Sequence, residues 1–123
     1  MAGIARFGLV ALDTPDPVGL ARFYSQLTGW AISEGHEGDG DWVQLESGGG
    51  PTIAFQRAPD LVPPRWPGDE HPQQLHLDFD VDDLDRGEEA VLAIGARKAE
   101  RQPHESFRVF LDPTGHPFCL VRA

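Results

Sequence analysis

The first part of the chain shows a strand-length apolar run followed by a helical repeat of apolar residues. The apolar run covers residues 7–12 and has the length of a buried strand. Asp16 and Pro17 come next, a residue type that caps helices and one that suits the first helical position. Apolar residues then recur at the i, i+3, i+4 and i+7 spacing of one helix face, namely Leu20, Phe23, Tyr24 and Leu27. Because Gly29 suits the left-handed end of a helix, this segment predicts a strand and an amphipathic helix.

Three further strands are predicted in the first half of the chain. They cover residues 30–33, 42–46 and 52–56, and the second of them alternates apolar and polar side chains. An acidic loop with three glycines at 34–41 separates the first two strands, and a glycine-rich turn at 47–51 separates the last two. The first half therefore has the predicted order βαβββ.

The second half opens on a strand with one polar and one apolar face. Residues 74–81 alternate strictly, with His76, Asp78 and Asp80 on the polar face. The apolar face is formed by Leu75, Leu77, Phe79 and Val81. This alternation predicts that the three polar side chains point away from the core.

A second helix and three short strands complete the second half. Asp82 or Asp83 is expected to cap the helix, which runs to about Ile94 and ends at Gly95. The residue types at 112–115 are those of a type I turn, with Asp first, Pro second and Gly fourth. The strands are predicted near 97–99, 107–111 and 117–122.

The two halves can be aligned by their sequence landmarks. Residues 9–13 align with 76–80, residues 27–30 with 93–96, and residues 53–55 with 118–120. A repeated unit is expected here, because neither half alone is long enough to bury a helix and a sheet well. The sequence thus predicts an α+β fold in one domain, residues 1–123, with modules at about 5–57 and 74–123 joined by a connecting loop at 58–73.

Composition and charge narrow the classes of partner. The 123 residues have a globular composition and carry 20 Asp+Glu against 10 Lys+Arg, a formal net charge of −10. This excess of carboxylates repels phosphate backbones and anionic lipids, so we expect no nucleic-acid and no membrane partner. A neutral or cationic small molecule is easier to accommodate.

Cysteine content and the apolar segments indicate a cytoplasmic protein. Cys119 is the one cysteine of the sequence, so an internal disulfide is excluded. The N-terminal segment lacks a signal-peptide cleavage pattern, and no stretch approaches the roughly 20 apolar residues that span a bilayer.

Several segments carry a family resemblance. The helix motif at 16–30, the strand and cap at 75–84, the Gly-Ala pair at 95–96 and the terminal hairpin at 112–121 together resemble the vicinal oxygen chelate superfamily. More narrowly, the chain is similar to its glyoxalase-like, bleomycin-resistance-type proteins. The resemblance implies the glyoxalase/bleomycin resistance/dihydroxybiphenyl dioxygenase fold, in which two half-open mixed β-sheets form a cup. It also implies a homodimer.

The resemblance places four metal positions on this chain, at Leu9, Ala54, His76 and Cys119. Leu9 and Ala54 have no donor atom, and Cys119 stands where the metal enzymes usually have a glutamate. One imidazole and a thiol are too few for the usual three or four converging ligands, so we expect no metal and no other cofactor. If a divalent metal does bind, we expect His76 with Gln56, which lies two residues beyond Ala54 on the same strand face.

The strand faces and the resemblance together indicate the candidate ligand-binding residues. His76, beside a carboxylate, can orient a ligand or act as a general base, and Asp78 flanks it on the same face. Trp66 either pins the connecting loop or forms an aromatic wall, and Trp42 either lines the cup or packs in the core. Apolar lining is expected from Phe7, Leu9 and Phe55, and the predicted ligand-binding set is Leu9, Trp42, Gln56, Trp66, His76, Asp78 and Cys119.

Three functions remain open at this point. The first is a metal-independent small-molecule-binding protein that holds an apolar or cationic aromatic compound in the cup. The second is a metal-dependent lyase, isomerase or dioxygenase of the same superfamily, and the third is a metal-free enzyme with His76 and Asp78 as general base. The sequence is compatible with an enzyme and with a binding protein, and it does not identify the ligand.

Overall fold

The computed structural model describes residues 3–33 and 40–123. Most of the predicted acidic loop 34–41 lies outside the described residues. The chain divides into two compact units, Met1–Leu61 and Val62–Ala123, and the division falls inside the predicted connecting loop. Neither helix of the described residues is long and apolar enough to cross a membrane.

The first unit contains one helix and one four-stranded mixed sheet. Its elements are β1 (Leu9–Thr14), α1 (Pro17–Thr28), β2 (Ala31–Ile32), β3 (Trp42–Glu46) and β4 (Thr52–Arg57). The strand order is β1-β4-β3-β2, with β1 parallel to β4 and the other neighbours antiparallel. The predicted βαβββ order is confirmed.

The second unit repeats this arrangement. Its elements are β5 (Leu77–Val81), α2 (Leu84–Ala93), β6 (Arg97–Lys98), β7 (Phe107–Leu111) and β8 (Pro117–Arg122). The strand order is β5-β8-β7-β6, and β5 is parallel to β8. The chain therefore has the α+β glyoxalase-type architecture of two βαβββ modules with two mixed four-stranded sheets.

The register of the two sheets confirms the alignment of the two halves. In the first sheet, Ala54 of β4 pairs with Ala11 on one side and with Gln44 on the other. In the second, Cys119 of β8 pairs with Asp78 and with Val109. The sequence alignment matches Ala11 with Asp78 and Ala54 with Cys119, so the repeat extends to individual backbone pairs.

Helix α1 begins and ends at the predicted residues. The Asp16 carboxylate accepts a hydrogen bond from the backbone N–H of Gly19 at 3.1 Å, and Gly29 has a left-handed φ of 79°. The apolar stripe of the helix is buried except at its last residue, Leu27, which is half-buried. Tyr24 stacks on Phe55 with ring centroids 5.7 Å apart. Phe55 was expected to line a pocket, and this prediction is wrong: its side chain is fully buried against α1.

Helix α2 is capped by the second of the two candidate residues. The Asp83 carboxylate accepts a hydrogen bond from the N–H of Arg86 at 3.1 Å, and the helix stops before Gly95, whose φ is 114°. Arg108 of β7 donates hydrogen bonds to two carboxylates of α2, Asp85 at 2.8 Å and Glu88 at 3.1 Å. These ion pairs connect β7 to the first two turns of α2.

Both parallel first strands begin later than the apolar pattern predicts. Strand β1 begins at Leu9 instead of residue 7, which leaves Phe7 69% exposed, and β5 begins at Leu77 instead of residue 74. For β1, the partner strand β4 itself begins at Thr52, the residue opposite Leu9. For β5, the residue opposite His76 is Pro117, which has no N–H to donate. Leu75 is consequently exposed instead of lying on the apolar face.

Candidate functional site

The second unit has a sheet face that points away from α2. A Cβ atom placed on Gly87 of α2 would lie 3.1 Å from Leu120 and 3.3 Å from Val81, so these two side chains face the helix. Side chains alternate along a strand, and Cys119 therefore points to the opposite face. Its ladder partners Asp78 and Val109 share that face.

Aromatic and aliphatic side chains cover much of this face. Ala99, Val109 and Cys119 are buried there. Three half-buried side chains pack against them, and we call these three the aromatic face: Trp66, Phe107 and Val121. The connecting loop thus places Trp66 on the sheet, where part of its surface stays accessible.

Polar side chains border the same face at its β5 edge. The Nε2 atom of His76 lies 3.3 Å from Oδ1 of Asp78, and the two side chains are 43% and 55% exposed. One donor atom each from His76, Asp78 and Cys119 lie within 4.8 Å of one another. We call these three residues the donor cluster. Cys119 belongs to both groups and joins the apolar and polar parts of the face.

Burial sets the protonation state of the Cys119 thiol. Its pKa is raised from 9.0 to about 11, first by burial and then by the neighbouring Asp78 carboxylate, which also accepts its hydrogen bond. The thiol is therefore protonated at neutral pH. A protonated thiol is a weak nucleophile, so Cys119 serves on this face as a small buried side chain.

The Gln102 side chain links Ala99, which follows β6, to Val109 of β7. These two residues and Cys119 form the buried apolar floor of the site. The Nε2 atom of Gln102 donates to the carbonyl oxygens of Ala99 at 2.8 Å and Val109 at 2.9 Å, and its Oε1 accepts from the N–H of Val109 at 2.9 Å. Nearby, the ring of His104 stacks on Phe107 with a centroid distance of 5.5 Å.

Sequence reasoning did not single out Gln102 or Phe107 as site residues. For Phe107 the sequence offered a signal in the two strands joined by the turn at 112–115. Such a hairpin pairs Phe107 with Val121, which lies two residues beyond Cys119 and so on the same face. Gln102 lies in a segment without regular secondary structure, where no periodic pattern indicates where a side chain points.

The turn before β8 is built around a buried carboxylate. Oδ1 of Asp112 accepts hydrogen bonds from the N–H groups of Thr114 and Gly115, both at 2.9 Å, and of His116 at 3.0 Å. The Asp112 side chain is fully buried. This turn, predicted from the residue types, holds β8 in the register with β7 that brings Cys119 beside Val109.

The first unit contains the remaining predicted ligand residues. Trp42 and Gln56 are paired neighbours on β3 and β4, and the Trp42 indole donates to the Gln44 side-chain oxygen at 3.3 Å. Trp42 is half-buried, while Val43 and Leu45 fill the core side of β3. Leu9 pairs with Thr52 at the far end of β4, so the structure brings Trp42 and Gln56 together but separates Leu9 from them.

Two open pockets border the first sheet. One of about 490 Å³ is lined by Arg6, Phe7, Gly8, Gly49, Gly50 and Pro51. The other, of about 360 Å³, is lined by Asp41, Gln56, Arg57 and Pro59. Phe7 and Gln56 thus line separate pockets.

The residues present do not fit the four-position metal set that the resemblance implies. Leu9 and Ala54 offer no donor atom, and Ala54 is fully buried under its neighbours. The donors that the described residues gather around His76 are Asp78 and Cys119. Gln56, the partner expected for His76, is a residue of the first unit.

Comparison with known proteins identifies the family. The family model described as a glyoxalase-like domain matches residues 9–121. The chain belongs to this glyoxalase-like family. No curated protein gives a significant match to this glyoxalase-like chain.

Solved structures share the fold of this glyoxalase-like protein. A glyoxalase/bleomycin resistance protein/dioxygenase family enzyme from Burkholderia phytofirmans is 20% identical, with a TM-score of 0.74 over 96% of this chain and 98% of that one. A glyoxalase/bleomycin resistance protein from Albidiferax ferrireducens is 16% identical, with a TM-score of 0.65 over 95% and 98%. The fosfomycin resistance protein FosX from Mesorhizobium loti is 17% identical, with a TM-score of 0.67 over 100% and 93%. At these identities the similarity shows the fold.

Proposed function

We propose that this glyoxalase-like protein binds a small molecule that has an apolar or aromatic body and a neutral or cationic head group. The observation that carries the proposal is the position of the exposed His76–Asp78 pair at the border of the aromatic face. A ligand body can cover the accessible parts of Trp66 and Phe107, while its head group reaches the carboxylate.

Charge favours a cationic head group over an anionic one. The chain carries a formal net charge of −10, which raises the local concentration of cations. At the site itself, Asp78 can accept a charge-assisted hydrogen bond from an ammonium group, and such bonds are stronger than neutral ones. Trp66 adds a ring face that attracts cations when they approach within about 6 Å.

Binding of this kind needs no resident metal ion. Two of the four positions that the resemblance assigns to a metal hold Leu9 and Ala54, so the usual converging ligand set is incomplete. The same incompleteness gives the metal-dependent lyase, isomerase and dioxygenase functions less support than binding. The cationic ligand can use the carboxylate of Asp78 directly.

Calorimetry with a matched ligand series tests this function. Chelator-treated protein is titrated with aromatic amines, the neutral alcohols of the same shape and the corresponding carboxylates. We expect the amines to bind best, and Asp78→Asn to weaken amine binding about tenfold, the value of one charge-assisted hydrogen bond. The matched control is Asp82→Asn, an exposed carboxylate just beyond β5, which should stay within about twofold of wild type. Equal affinity for amines and carboxylates would contradict the proposal.

Trp66→Ala tests the aromatic part of the site. Removal of the indole takes away a large contact surface, and we expect a loss of about 2 kcal/mol in binding free energy for all members of the series. Leu92→Ala is the control, since Leu92 is an exposed residue of α2, which packs on the opposite face of the second sheet. Unchanged binding in Trp66→Ala would show that the ligand lies elsewhere.

The distance between His76 and Asp78 also supports a second candidate, a metal-free enzyme that removes a proton from its ligand. A carboxylate 3.3 Å from Nε2 can orient the imidazole for proton transfer. In that case turnover has a pH–rate profile that disappears in His76→Ala while the melting temperature stays unchanged. Ligand binding without turnover at any pH would leave binding as the function.

A further inference from the structure

We propose that the larger pocket of the first unit is a second binding site, which takes a small aromatic carboxylate. The proposal goes beyond the proposed function and does not rest on it, because it concerns other residues and a ligand of the opposite charge. It stands on a guanidinium, a glycine turn and an exposed aromatic ring that line one cavity.

The pocket lies where the start of β1 meets the turn before β4. Its volume of about 490 Å³ falls within the range of small-molecule sites, roughly 300 to 1,000 Å³. Residues 6–8 line one side and residues 49–51 line the other. The N–H of Thr52 donates to the carbonyl oxygen of Gly8 at 3.2 Å, which joins the two sides. The pocket is therefore built by two segments that the sheet holds next to each other.

Arg6 provides the positive charge of the pocket. Of the described residues that line it, Arg6 alone has a charged side chain, and this side chain is exposed. Within residues 3–33 and 40–123, no ion pair and no hydrogen bond engages the guanidinium. A guanidinium presents a planar fork of N–H donors that matches the two oxygens of a carboxylate. Arg6 therefore favours a carboxylate over a neutral ligand.

The glycine turn provides two further donors. The backbone N–H groups of Gly49 and Gly50 have no hydrogen-bond acceptor in the parts of the chain that the structure describes. A Cβ atom placed on either glycine would have no atom within 4 Å beyond its chain neighbours, so a ligand can approach this backbone closely. Successive N–H groups in turns form concavities that bind anions. A carboxylate can therefore accept hydrogen bonds from the turn as well as from Arg6.

Phe7 determines the shape of the ligand body. Its ring is 69% exposed and lines the pocket next to Arg6 in the sequence. Aromatic rings pair with one another in offset-stacked or edge-to-face arrangements. A ligand whose carboxylate meets Arg6 can place a planar ring against Phe7 and remove apolar surface from water. The pocket therefore prefers an aromatic carboxylate to an aliphatic one.

The net charge of the chain limits the affinity for an anion without excluding it. The formal charge of −10 repels anions at long range, but at physiological ionic strength charges beyond about 8 Å are largely screened. An exposed ion pair contributes little on its own, so we expect carboxylates to bind here more weakly than amines bind at Asp78. The two sites thus select ligands of opposite charge.

A titration with naphthoate, followed by proton–nitrogen correlation NMR, tests the site. We expect the amide signals of Gly49 and Gly50 to shift along one saturable curve, whereas naphthylmethanol, the neutral ligand of similar shape, leaves them in place. Arg6→Ala should weaken naphthoate binding at least about tenfold, and Arg6→Lys about threefold, because lysine keeps the charge and loses the fork. The matched control is Arg22→Ala, an exposed arginine of α1 in the same unit, which should stay within about twofold of wild type.

Phe7→Ala tests the aromatic part of this pocket. We expect it to weaken naphthoate binding about fivefold and to leave acetate binding unchanged, because acetate has no ring to place against Phe7. The control is Ile4→Ala, an exposed apolar residue of the same segment that is not among the described lining residues. Equal losses for naphthoate and acetate would contradict the aromatic preference.

Other outcomes would overturn the proposal as a whole. Shifts of the Trp66 indole and Gln102 amide signals in place of the glycine signals would put the carboxylate on the aromatic face. Equal losses in Arg6→Ala and Arg22→Ala would mean diffuse attraction to surface charge, and the absence of any shift would exclude the site. Asp78→Asn should leave naphthoate binding unchanged while it weakens amine binding, so the two proposals fail separately.

Discussion

Cys119 has two different neighbourhoods at the scale of a single side chain. On one side the sulfur joins the buried apolar floor with Ala99 and Val109, and on the other it approaches the exposed Asp78 carboxylate. Burial and the nearby negative charge both favour the protonated thiol. The residue therefore packs as a small hydrophobe and keeps its proton beside a carboxylate.

The raised pKa of Cys119 predicts a loss of stability at alkaline pH. In the unfolded chain the thiol ionises near its usual pKa of 9.0, but in the folded protein it keeps its proton up to about 11. Folding stability is therefore fully present below pH 9 and falls as the pH rises from 9 to 11, by roughly 2 kcal/mol at about pH 10.5. Urea unfolding at about pH 8 and about pH 10.5 measures this in metal-free buffer. Cys119→Ala should lack that part of the loss, and an equal loss in both proteins would contradict the pKa shift.

Single residues also show where the sequence pattern was ambiguous. Ala54 and Phe55 are adjacent apolar residues, so alternation alone does not decide which of them faces the helix. The large Phe55 ring fills the space beside Tyr24, and this places Ala54 on the opposite face. The prediction of Phe55 as a pocket residue was wrong for this reason, whereas strand alternation did predict that His76 and Asp78 lie beside each other.

At the scale of elements, turns and ladder partners decide where each strand begins. Both helices and the βαβββ order were predictable from caps, glycines and apolar periodicity. The starts of β1 and β5 were not, because they depend on partner strands that are distant in sequence: β4 begins opposite Leu9, and Pro117 of β8 lies opposite His76. The grouping of the donor cluster likewise required the parallel pairing of β5 with β8, which local spacing cannot supply.

The buried Asp112 carboxylate predicts a large effect of a single turn substitution. In Asp112→Ala, three backbone N–H groups lose their acceptor in a buried turn, and the free energy of unfolding should fall by about 2–4 kcal/mol. Chemical denaturation measures the change, and the exposed Asp82→Ala serves as control with an expected change below about 0.5 kcal/mol. A loss no larger than that of the control would show that the turn holds without its carboxylate. Because the turn holds β8 in register, the same variant should also weaken binding at the aromatic face.

At the scale of the whole molecule, the prediction of a homodimer remains open to measurement. It came from the family resemblance and from the edge strands, since unpaired strand edges need cover. Within the described residues, β1 and β5 each have one hydrogen-bonded neighbour in their sheet. Light scattering after size exclusion should give about twice the 13.5 kDa mass of one chain. A mass of one chain at all concentrations would disprove the dimer.

Because the registers of the two sheets match, residues of the second unit have equivalent backbone positions in the first. Leu9, Ala11 and Ala54 occupy in the first unit the places that His76, Asp78 and Cys119 occupy in the second. A transplant of the three donors by Leu9→His, Ala11→Asp and Ala54→Cys would copy the chemistry without redesigning the backbone. At these equivalent positions the difference between the two halves then lies in three side chains.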